Sequence, residues 1–345
     1  MTEELTAVQM KAAEIMFSGY EAKDEEAART LKLILSSKAE GTLSLYSDVI
    51  KKWCQFAKKN GYQEFPIRKK EFCAYLSNLD KWGTPYSYLK ALQGAIPFWY
   101  AARNSDETCL TKEPFVKLLL DGALRTAAKR RGSVQKVETI PQDKIKEMFK
   151  RTFWPMGRVT IPNGDRKAWR TATRLYTYYK TMCRYSCYKQ LGPKNITFLE
   201  DHVQIEFPKS KNDQMYEGTT SVIGYTPGDP LCPKLIYENY LTVMGFQNIE
   251  GEYLNCRLDR MGRVQTTLLL SQSSSSIDTK EFLKSHGLEG KFTEKSLKSS
   301  AVTILLDKGV PITDVQISGR WKGPQTPMFY HNSSVVRRCK VSLNL

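Results

Sequence analysis

The C-terminal part of the chain contains one segment whose spacing is unlike the rest: KSLKSSAVTILLDKGVPITDVQISGRW, residues 295–321. Thr293 precedes this segment and is suited to cap a helix that begins near Lys295. Apolar residues at helical spacing predict the buried stripe of that helix, namely Leu297, Ala301, Ile304 and Leu305. Gly309 is predicted to end the helix, because glycine is the residue that most readily follows a helix C-terminus.

A second, shorter helix is predicted around residues 313–317, and Gly319 is expected to end it. Trp321 follows, and Tyr330 lies nine positions beyond Trp321. Taken alone, a tyrosine among the 18 of this chain is expected to pack or to lie on the surface.

Upstream of this segment the sequence predicts helices followed by three short strands. A helix is expected at Trp169–Gln190, and the strands at Asn195–Phe198, Val203–Phe207 and Ser221–Tyr225. The second strand is the clearest, because Val203, Ile205 and Phe207 alternate with polar residues. From there to the C-terminus helices are predicted, with the serine run Ser273–Ser276 as a surface loop.

The organisation predicted for the whole chain is mainly α with a small β-sheet, an α+β fold. Residues 1–38 are predicted as an acidic, partly helical leader, and residues 39–126 as a compact bundle of four or five helices. Residues 127–140 are polar, basic and interrupted by glycine, which predicts a linker. Residues 141–345 would form the second domain.

The charge of the chain is positive and unevenly placed. With 52 Lys and Arg against 36 Asp and Glu, the net charge is +16. Residues 1–30 hold three basic and seven acidic side chains, so the rest of the chain carries +20. Such a balance favours a polyanionic partner, and double-stranded DNA is the partner we expect. The alternatives are a solvated basic surface, attraction to anionic lipid, or a basic helical scaffold that binds acidic proteins.

Other features of the composition predict an intracellular protein with neither a membrane span nor a metal. No apolar run is long enough to span a bilayer, and the first 20 residues lack the pattern of a signal peptide. The eight cysteines are scattered without a C-x-x-C pair, so they are expected to be buried free thiols and no zinc site is predicted.

Clusters of basic side chains identify candidate contacts to DNA. A basic run at the end of the bundle and the start of the linker is expected to cross the DNA backbone: Arg125, Lys129, Arg130 and Arg131. The same run is also typical of a nuclear import signal, so a nuclear location is predicted, and the two interpretations are compatible. The remaining candidates are Lys51 and Lys52 in the helical bundle and Lys209 in the turn after the second strand.

The chain resembles the tyrosine recombinases, or phage-type integrases, over most of its length. The resemblance is strongest to their eukaryotic, transposon-related branch, in which a Gly-x-Trp-Lys element precedes the tyrosine. It implies a helical core-binding domain, a catalytic domain and an active site assembled from distant positions. The residues that match the family's catalytic positions are Arg184 in Thr181–Arg184, Lys211, Lys295, Lys298, Trp321 and Tyr330.

The resemblance implies chemistry that needs neither metal nor ATP. The hydroxyl of Tyr330 would attack a DNA phosphodiester, and a 3′-phosphotyrosyl bond would conserve the energy of the broken link. Arg184 would stabilise the negative charge of the transition state, and Lys211, or Lys209 two residues before it, would protonate the 5′-oxygen. Trp321 would donate its indole N–H to a phosphate oxygen.

Three positions depart from the family pattern. Lys298 stands where an arginine is expected, Met182 where glycine is preferred, and Cys187 where an acid is preferred. A lysine lacks the planar fork of a guanidinium, so the exchange is not conservative at a phosphate. The sequence therefore predicts weakened site-specific recombination, with a catalytically inactive, domesticated DNA-binding protein as the alternative.

The tail, residues 333–345, mixes apolar and basic side chains. In the family a C-terminal segment docks onto a neighbouring protomer. The resemblance therefore implies that this chain self-associates on DNA through its tail.

Overall fold

The structure is a computed structural model. It describes residues 5–17, 25–103, 109–132, 137–154, 166–208, 218–288 and 292–331. The chain divides into two compact units, residues 1–134 and 135–345. This boundary falls inside the segment 127–140 that was predicted as a linker.

All regular secondary structure in the described residues of the first unit is helical. Its helices are α1 (Ala7–Met16), α2 (Glu25–Ser36), α3 (Glu40–Lys59), α4 (Lys69–Lys81), α5 (Tyr86–Ala102) and α6 (Pro114–Arg131). Trp53 and Trp99 are almost fully buried in its core. Each indole N–H donates to a main-chain oxygen, that of Trp53 to Glu64 at 2.8 Å and that of Trp99 to Met16 at 2.7 Å.

Two parts of this unit differ from the sequence prediction. The leader does not stand apart, because Ala12, Met16 and Leu35 are fully buried in the same core as α3 and α5. At the other end, α6 continues to Arg131, five residues into the predicted linker. The helix persists because Ala127 extends its buried stripe, and it ends at Gly132, whose φ is +71°.

The second unit combines helices with two small antiparallel sheets. Its helices are α7 (Gln142–Phe153), α8 (Arg166–Thr181), α9 (Tyr185–Tyr188), α10 (Pro233–Met244), α11 (Gln272–Ser285), α12 (Glu294–Asp307), α13 (Ile312–Ser318) and α14 (Gln325–Tyr330). Its strands are β1 (Ile196–Phe198), β2 (His202–Phe207), β3 (Thr219–Gly224), β4 (Cys256–Leu258) and β5 (Val264–Leu269).

Strands β1, β2 and β3 form the sheet that the sequence predicted. The order is β1-β2-β3 with both pairs antiparallel, and Ile205 faces Ile196 on one side and Ser221 on the other. Val203, Ile205 and Phe207 are fully buried, so the alternation read from the sequence is confirmed. The residues between β2 and β3, 209–217, are outside the described part of the chain.

Three local predictions in this unit were wrong. The expected helix Trp169–Gln190 is broken after Thr181 by a turn at Met182. The hairpin of β4 and β5 was missed because β4 has only three residues and β5 does not alternate between buried and exposed positions. The serine run expected as a loop lies in α11, where Ser271 caps the helix by accepting from the backbone N–H of Ser274.

Helix α8 forms the centre of the second unit and buries two arginines. Arg174 is fully buried and donates to Asn255, to the main-chain oxygen of Ser275 and to Thr279, at 2.8–2.9 Å. Arg170 donates to Asp278 at 2.6 Å. These contacts hold α8, and with it the turn that follows, against α11 and β4. Among the described residues, no helix has the length and apolar character that a membrane crossing requires.

Candidate active site

The turn after α8 brings Arg184 to the edge of the core. Met182 has φ of +52°, in the left-handed region, and this sharp turn ends the helix. The family pattern has glycine here, and glycine adopts this conformation without the roughly 1–2 kcal/mol that a Cβ costs. The side chain of Met182 is buried against Val302 and Trp321, and this burial offsets the cost by about 1.5–3 kcal/mol.

Helix α12 presents Lys298 to the same region. Thr293 caps the helix by accepting from the backbone N–H of Lys295 at 3.3 Å, as the sequence predicted. Lys298 is only 4% exposed, whereas Lys295, one turn earlier, is exposed. The two lysines therefore differ: Lys298 belongs to the interior of the site and Lys295 to its rim.

Trp321 and Tyr330 stack beside Lys298. Their ring centroids are 5.6 Å apart with an angle of 21° between the planes. The ammonium of Lys298 lies 4.6 Å from the centroid of Trp321 and 5.0 Å from that of Tyr330. The indole nitrogen of Trp321 is buried without a hydrogen-bond partner. A buried donor without a partner is costly, so an acceptor that reached this nitrogen would relieve that cost.

The hydroxyl of Tyr330 contacts the guanidinium of Arg184, although the two residues are 146 positions apart in the sequence. Nη2 of Arg184 donates to Oη of Tyr330 at 3.4 Å. Four of the predicted site residues, Arg184, Lys298, Trp321 and Tyr330, are therefore together in space. Lys295 lies beside them, and Lys211 and Lys209 lie outside the described residues.

Arg184, Lys298 and Tyr330 line a cavity of about 190 Å³. Tyr178 and Glu294 line it as well, and each has a buried oxygen without a hydrogen-bond partner. Glu294 was not singled out from the sequence. Burial raises the pKa of its carboxyl above the ordinary value. Its place next to Lys295 was the only available signal, and an acid at the start of a helix is common.

The electrostatics of the cavity favour an anion. Burial, with the nearby charge of Arg184, lowers the pKa of Lys298 to about 7. In the described part of the chain, no carboxylate forms an ion pair with Arg184, Lys298 or Arg320. Burial also raises the pKa of the neighbouring Cys183 thiol to about 12, so this group stays neutral near pH 7. Among the described residues, these three cationic groups therefore have no carboxylate in ion-pair contact, although Glu294 lines the same cavity.

Arg320 is a second residue that the sequence reading missed. Its guanidinium donates to Ser221 on β3 and, at 3.1 Å, to the main-chain oxygen of Thr181 at the end of α8. It also lies 4.3 Å from the ring centroid of Phe207 at the end of β2. One side chain thus connects the turn that carries Trp321 to the turn that carries Arg184. Its only sequence signal was its place next to Trp321.

The candidate DNA contacts of the first unit lie on exposed helix surfaces. Lys51 and Lys52 are exposed on α3, and Arg125 and Lys129 are exposed on α6. The last two basic residues of α6 are exposed but already have partners in the chain: Arg130 pairs with Asp80 at 2.8 Å and Arg131 lies 4.5 Å from the centroid of Tyr86. Among the described residues, no group of three or more His, Cys, Asp or Glu side chains is placed to hold a metal ion.

Replacing Lys298 by Met is expected to change how stability depends on pH. In the native chain the pKa of Lys298 is about 7, well below the ordinary 10.5, so above about pH 7 the unfolded state binds more protons than the folded state. The wild type should therefore gain about 1.4 kcal/mol per pH unit relative to Lys298→Met above about pH 7. Urea unfolding of both proteins between about pH 6 and about pH 8.5 measures this difference, and a constant difference would contradict the burial of a charged lysine.

Gly319 is required by the position of Trp321. A Cβ at residue 319 would lie 2.2 Å from the indole ring, so Gly319→Ala must displace the ring. We expect a loss of about 1–3 kcal/mol in unfolding free energy and a changed tryptophan fluorescence spectrum. Gly323→Ala is the matched control, because a Cβ there meets nothing within 4 Å. Equal effects of the two substitutions would refute this role for Gly319.

Comparison with known proteins identifies the fold. No protein-family model and no curated protein matches the sequence. Among solved structures, the XerH site-specific recombinase in its post-cleavage complex with palindromic difH substrate has a TM-score of 0.60, with 13% identity over 97% of this chain and 92% of that chain. The XerH pre-cleavage complex with difH has a TM-score of 0.56, with 13% identity over 97% of this chain and 94% of that chain. The predicted fold class is therefore confirmed: this mainly helical chain, with its small antiparallel sheets, has the tyrosine-recombinase fold.

Proposed function

We propose that this chain binds duplex DNA and cleaves one strand with Tyr330 as the nucleophile. The observation that carries the proposal is the cavity itself, where the hydroxyl of Tyr330 lies 3.4 Å from the guanidinium of Arg184. The cations of this cavity have no carboxylate partners among the described residues. A backbone phosphate supplies the missing negative charge and the atom that a tyrosine can attack. The fold shared with DNA-bound XerH supports the same conclusion.

Cleavage is a transesterification. The oxygen of Tyr330 forms a bond to phosphorus, the phenol proton passes to water, and the bond between phosphorus and the 5′-oxygen breaks. The 5′-oxygen takes up a proton and leaves as a hydroxyl, while the 3′-phosphate stays on Tyr330. The reverse step, with the 5′-hydroxyl of another strand, rejoins the DNA and frees the tyrosine. Lys211, or Lys209, is the proton donor that the resemblance implies for the leaving group.

Arg184 and Lys298 in the cavity, and Trp321 beside it, bind and orient the phosphate. The guanidinium of Arg184 contacts non-bridging oxygens, where charge accumulates in the transition state. The unpartnered indole N–H of Trp321 donates to one of them. Lys298 adds a positive charge only while it is protonated, and a pKa of about 7 makes this contribution sensitive to pH in the free protein. The phosphate raises that pKa again when it binds, because an opposite charge favours the ammonium form.

The second candidate function is DNA binding without cleavage. The weakly basic Lys298 in the arginine position favours this candidate, because a lysine that is half neutral at pH 7 stabilises a transition state poorly. Both candidates bind duplex DNA, so only a test of covalent chemistry separates them.

DNA binding is tested by filter binding over a series of salt concentrations. Phosphate contacts release counter-ions, so the logarithm of the affinity should fall steeply and linearly with the logarithm of the salt concentration. A flat dependence would refute binding through basic side chains and would favour the basic scaffold that binds acidic proteins.

Covalent chemistry is tested with a suicide substrate, a duplex nicked close to the cleavage position so that the short released strand diffuses away. Religation then fails, and the protein accumulates as a covalent adduct that survives denaturing electrophoresis. Because the target sequence is not known, a pool of randomised duplexes is used. An adduct supports the recombinase, and binding without an adduct supports the inactive alternative.

Self-association on DNA through the tail is part of the proposal. Residues 333–345 lie outside the described residues, and the proposal rests on the resemblance. A chain truncated after Asn332 should bind DNA as a monomer in an electrophoretic mobility assay, whereas the full chain should form slower complexes. Unchanged complexes after truncation would refute this part. The nuclear location and the transposon-related origin stay predictions.

A further inference from the structure

A second cavity, of about 510 Å³, lies in the first unit between α3, α4 and the start of α5. Its walls include the aromatic rings of Phe56, Tyr75, Trp82 and Tyr88. Phe56 and Tyr75 are 4.9 Å apart between centroids, and Trp82 stands edge-on to Phe56 at 6.4 Å. A volume of this size admits a small planar ring with a substituent.

Trp82 is the unusual residue of this cavity. It is 60% exposed, although its indole is the largest apolar side chain in the lining. An exposed tryptophan beside other aromatic rings offers a flat face to a flat ligand, and stacking of a nucleobase on such a ring is worth about 1–3 kcal/mol. The two phenols at the base of the cavity, Tyr75 and Tyr88, hydrogen bond to each other at 2.8 Å, so neither needs a ligand.

The charged side chains in the lining of the cavity are positive. They are Lys52 and Lys59, one on either side of Phe56 along α3, and among the described residues no acidic side chain lines the cavity. Lys52 is held 4.7 Å from the ring centroid of Tyr88 and belongs to the DNA contacts predicted from the sequence. The cavity therefore matches a ligand that joins an aromatic ring to an anion and that reaches the protein with DNA. An acidic peptide matches the charge, but its backbone would also need hydrogen-bond partners that the paired phenols do not offer.

We propose that this cavity binds one unpaired nucleobase of the DNA, which stacks on Trp82 while Lys52 and Lys59 contact the neighbouring phosphates. The inference rests on the proposed DNA binding and extends it to a preference for duplexes with a bulged or unpaired base. Such a base is the one most easily taken out of the helix, because the cost of unstacking and unpairing is already reduced.

The test uses a duplex with a single bulged 2-aminopurine and the same duplex fully paired. Stacking on Trp82 should quench the fluorescence of the bulged base, and the wild type should prefer the bulged duplex by roughly fivefold to 150-fold, which corresponds to about 1–3 kcal/mol. In Trp82→Ala the ratio of the two affinities should fall to about one and the quenching should disappear. Trp82→Phe keeps an aromatic face, so it should retain part of the preference for the bulged duplex and part of the quenching.

Phe115→Ala is the matched control. Phe115 is also exposed, at 58%, and also has a lysine over its ring, Lys69 at 5.4 Å, but it does not line the cavity. Its loss should leave the ratio of affinities and the quenching as in the wild type. The proposal is refuted if Trp82→Ala keeps the wild-type ratio, or if Phe115→Ala lowers it equally. Competition by a peptide of glutamate and phenylalanine, without any preference for the bulge, would also refute it and indicate a protein partner.

A single-stranded trinucleotide with a central 2-aminopurine separates this inference from the proposed function. If the chain does not bind paired duplex but quenches the trinucleotide through Trp82, the cavity is a base-binding site and the proposed duplex function fails. If duplex binding is steeply dependent on salt but neither probe is quenched, the proposed function stands and the cavity inference fails.

Discussion

Tyr330→Phe is expected to abolish the covalent adduct on a nicked suicide substrate while duplex binding persists. The substitution removes the oxygen that bonds to phosphorus, and loss of a nucleophile typically lowers a rate by about 10⁴–10⁶. The phenyl ring keeps the stack on Trp321, 5.6 Å between centroids, and the contact to the ammonium of Lys298. A loss of the covalent adduct in this variant therefore shows that the chemical step is lost, and not the packing of the site.

Tyr253→Phe is the control for this experiment, because Tyr253 is a partly exposed tyrosine that does not line the cavity. It should leave adduct formation at the wild-type level. An adduct that persists in Tyr330→Phe would assign the nucleophile to another residue and would remove the basis of the proposed mechanism. Peptide mapping of the wild-type adduct gives the same answer independently, since the phosphotyrosyl fragment should contain residue 330.

Lys298→Arg is expected to accelerate cleavage and to remove its sensitivity to alkaline pH. A guanidinium stays protonated throughout the working range and binds two phosphate oxygens at once, and one such interaction is worth about 10²–10³ in rate. In the wild type, kcat/KM reports the free protein, so it should fall about tenfold per pH unit above about pH 7 as Lys298 loses its proton. In Lys298→Arg that fall should be absent.

The control for Lys298→Arg is Lys295→Arg, an exposed lysine one turn earlier on the same helix. It should leave the pH profile unchanged, because its ammonium is not buried. Lys298 is 4% exposed, so the larger arginine carries an overpacking cost of about 1–3 kcal/mol. Unfolding curves of both variants show whether the fold has kept its stability. A stable Lys298→Arg protein with the wild-type rate and pH profile would show that this side chain does not limit cleavage.

Much of the second unit was predictable because the signals are local. The cap at Thr293 and the alternation along β2 depend on neighbours within a few residues, and both were found in place. Of the stripe predicted for α12, Leu297 and Ala301 are buried, whereas Ile304 and Leu305 are only partly buried. The predictions failed where tertiary contacts override local preference. Helix α8 stops at Met182 although no glycine or proline stands there, because the buried Met182 side chain packs against Trp321 and Val302.

The first unit shows the same limit. The leader reads as acidic and separate, yet the main-chain oxygen of Met16 accepts the indole N–H of Trp99, 83 positions away. No sequence pattern within residues 1–38 predicts this contact, because its partner, Trp99, is brought to Met16 by the packing of α5. The burial of Ala12 and Leu35 follows from the same packing.

The sequence by itself determined the fold class, the positive charge and most of the helices, since these depend on composition, periodicity and spacing. The candidate positions 184, 298, 321 and 330 came from the resemblance to the tyrosine recombinases. Only the tertiary structure decided that these side chains meet, that Lys298 is buried, that Glu294 lines the cavity, and that Arg320 joins the two turns. The physical reason is that the pKa of a group and the partners of a charge are set by burial and by neighbours in space, and those neighbours come from parts of the chain more than 100 residues apart.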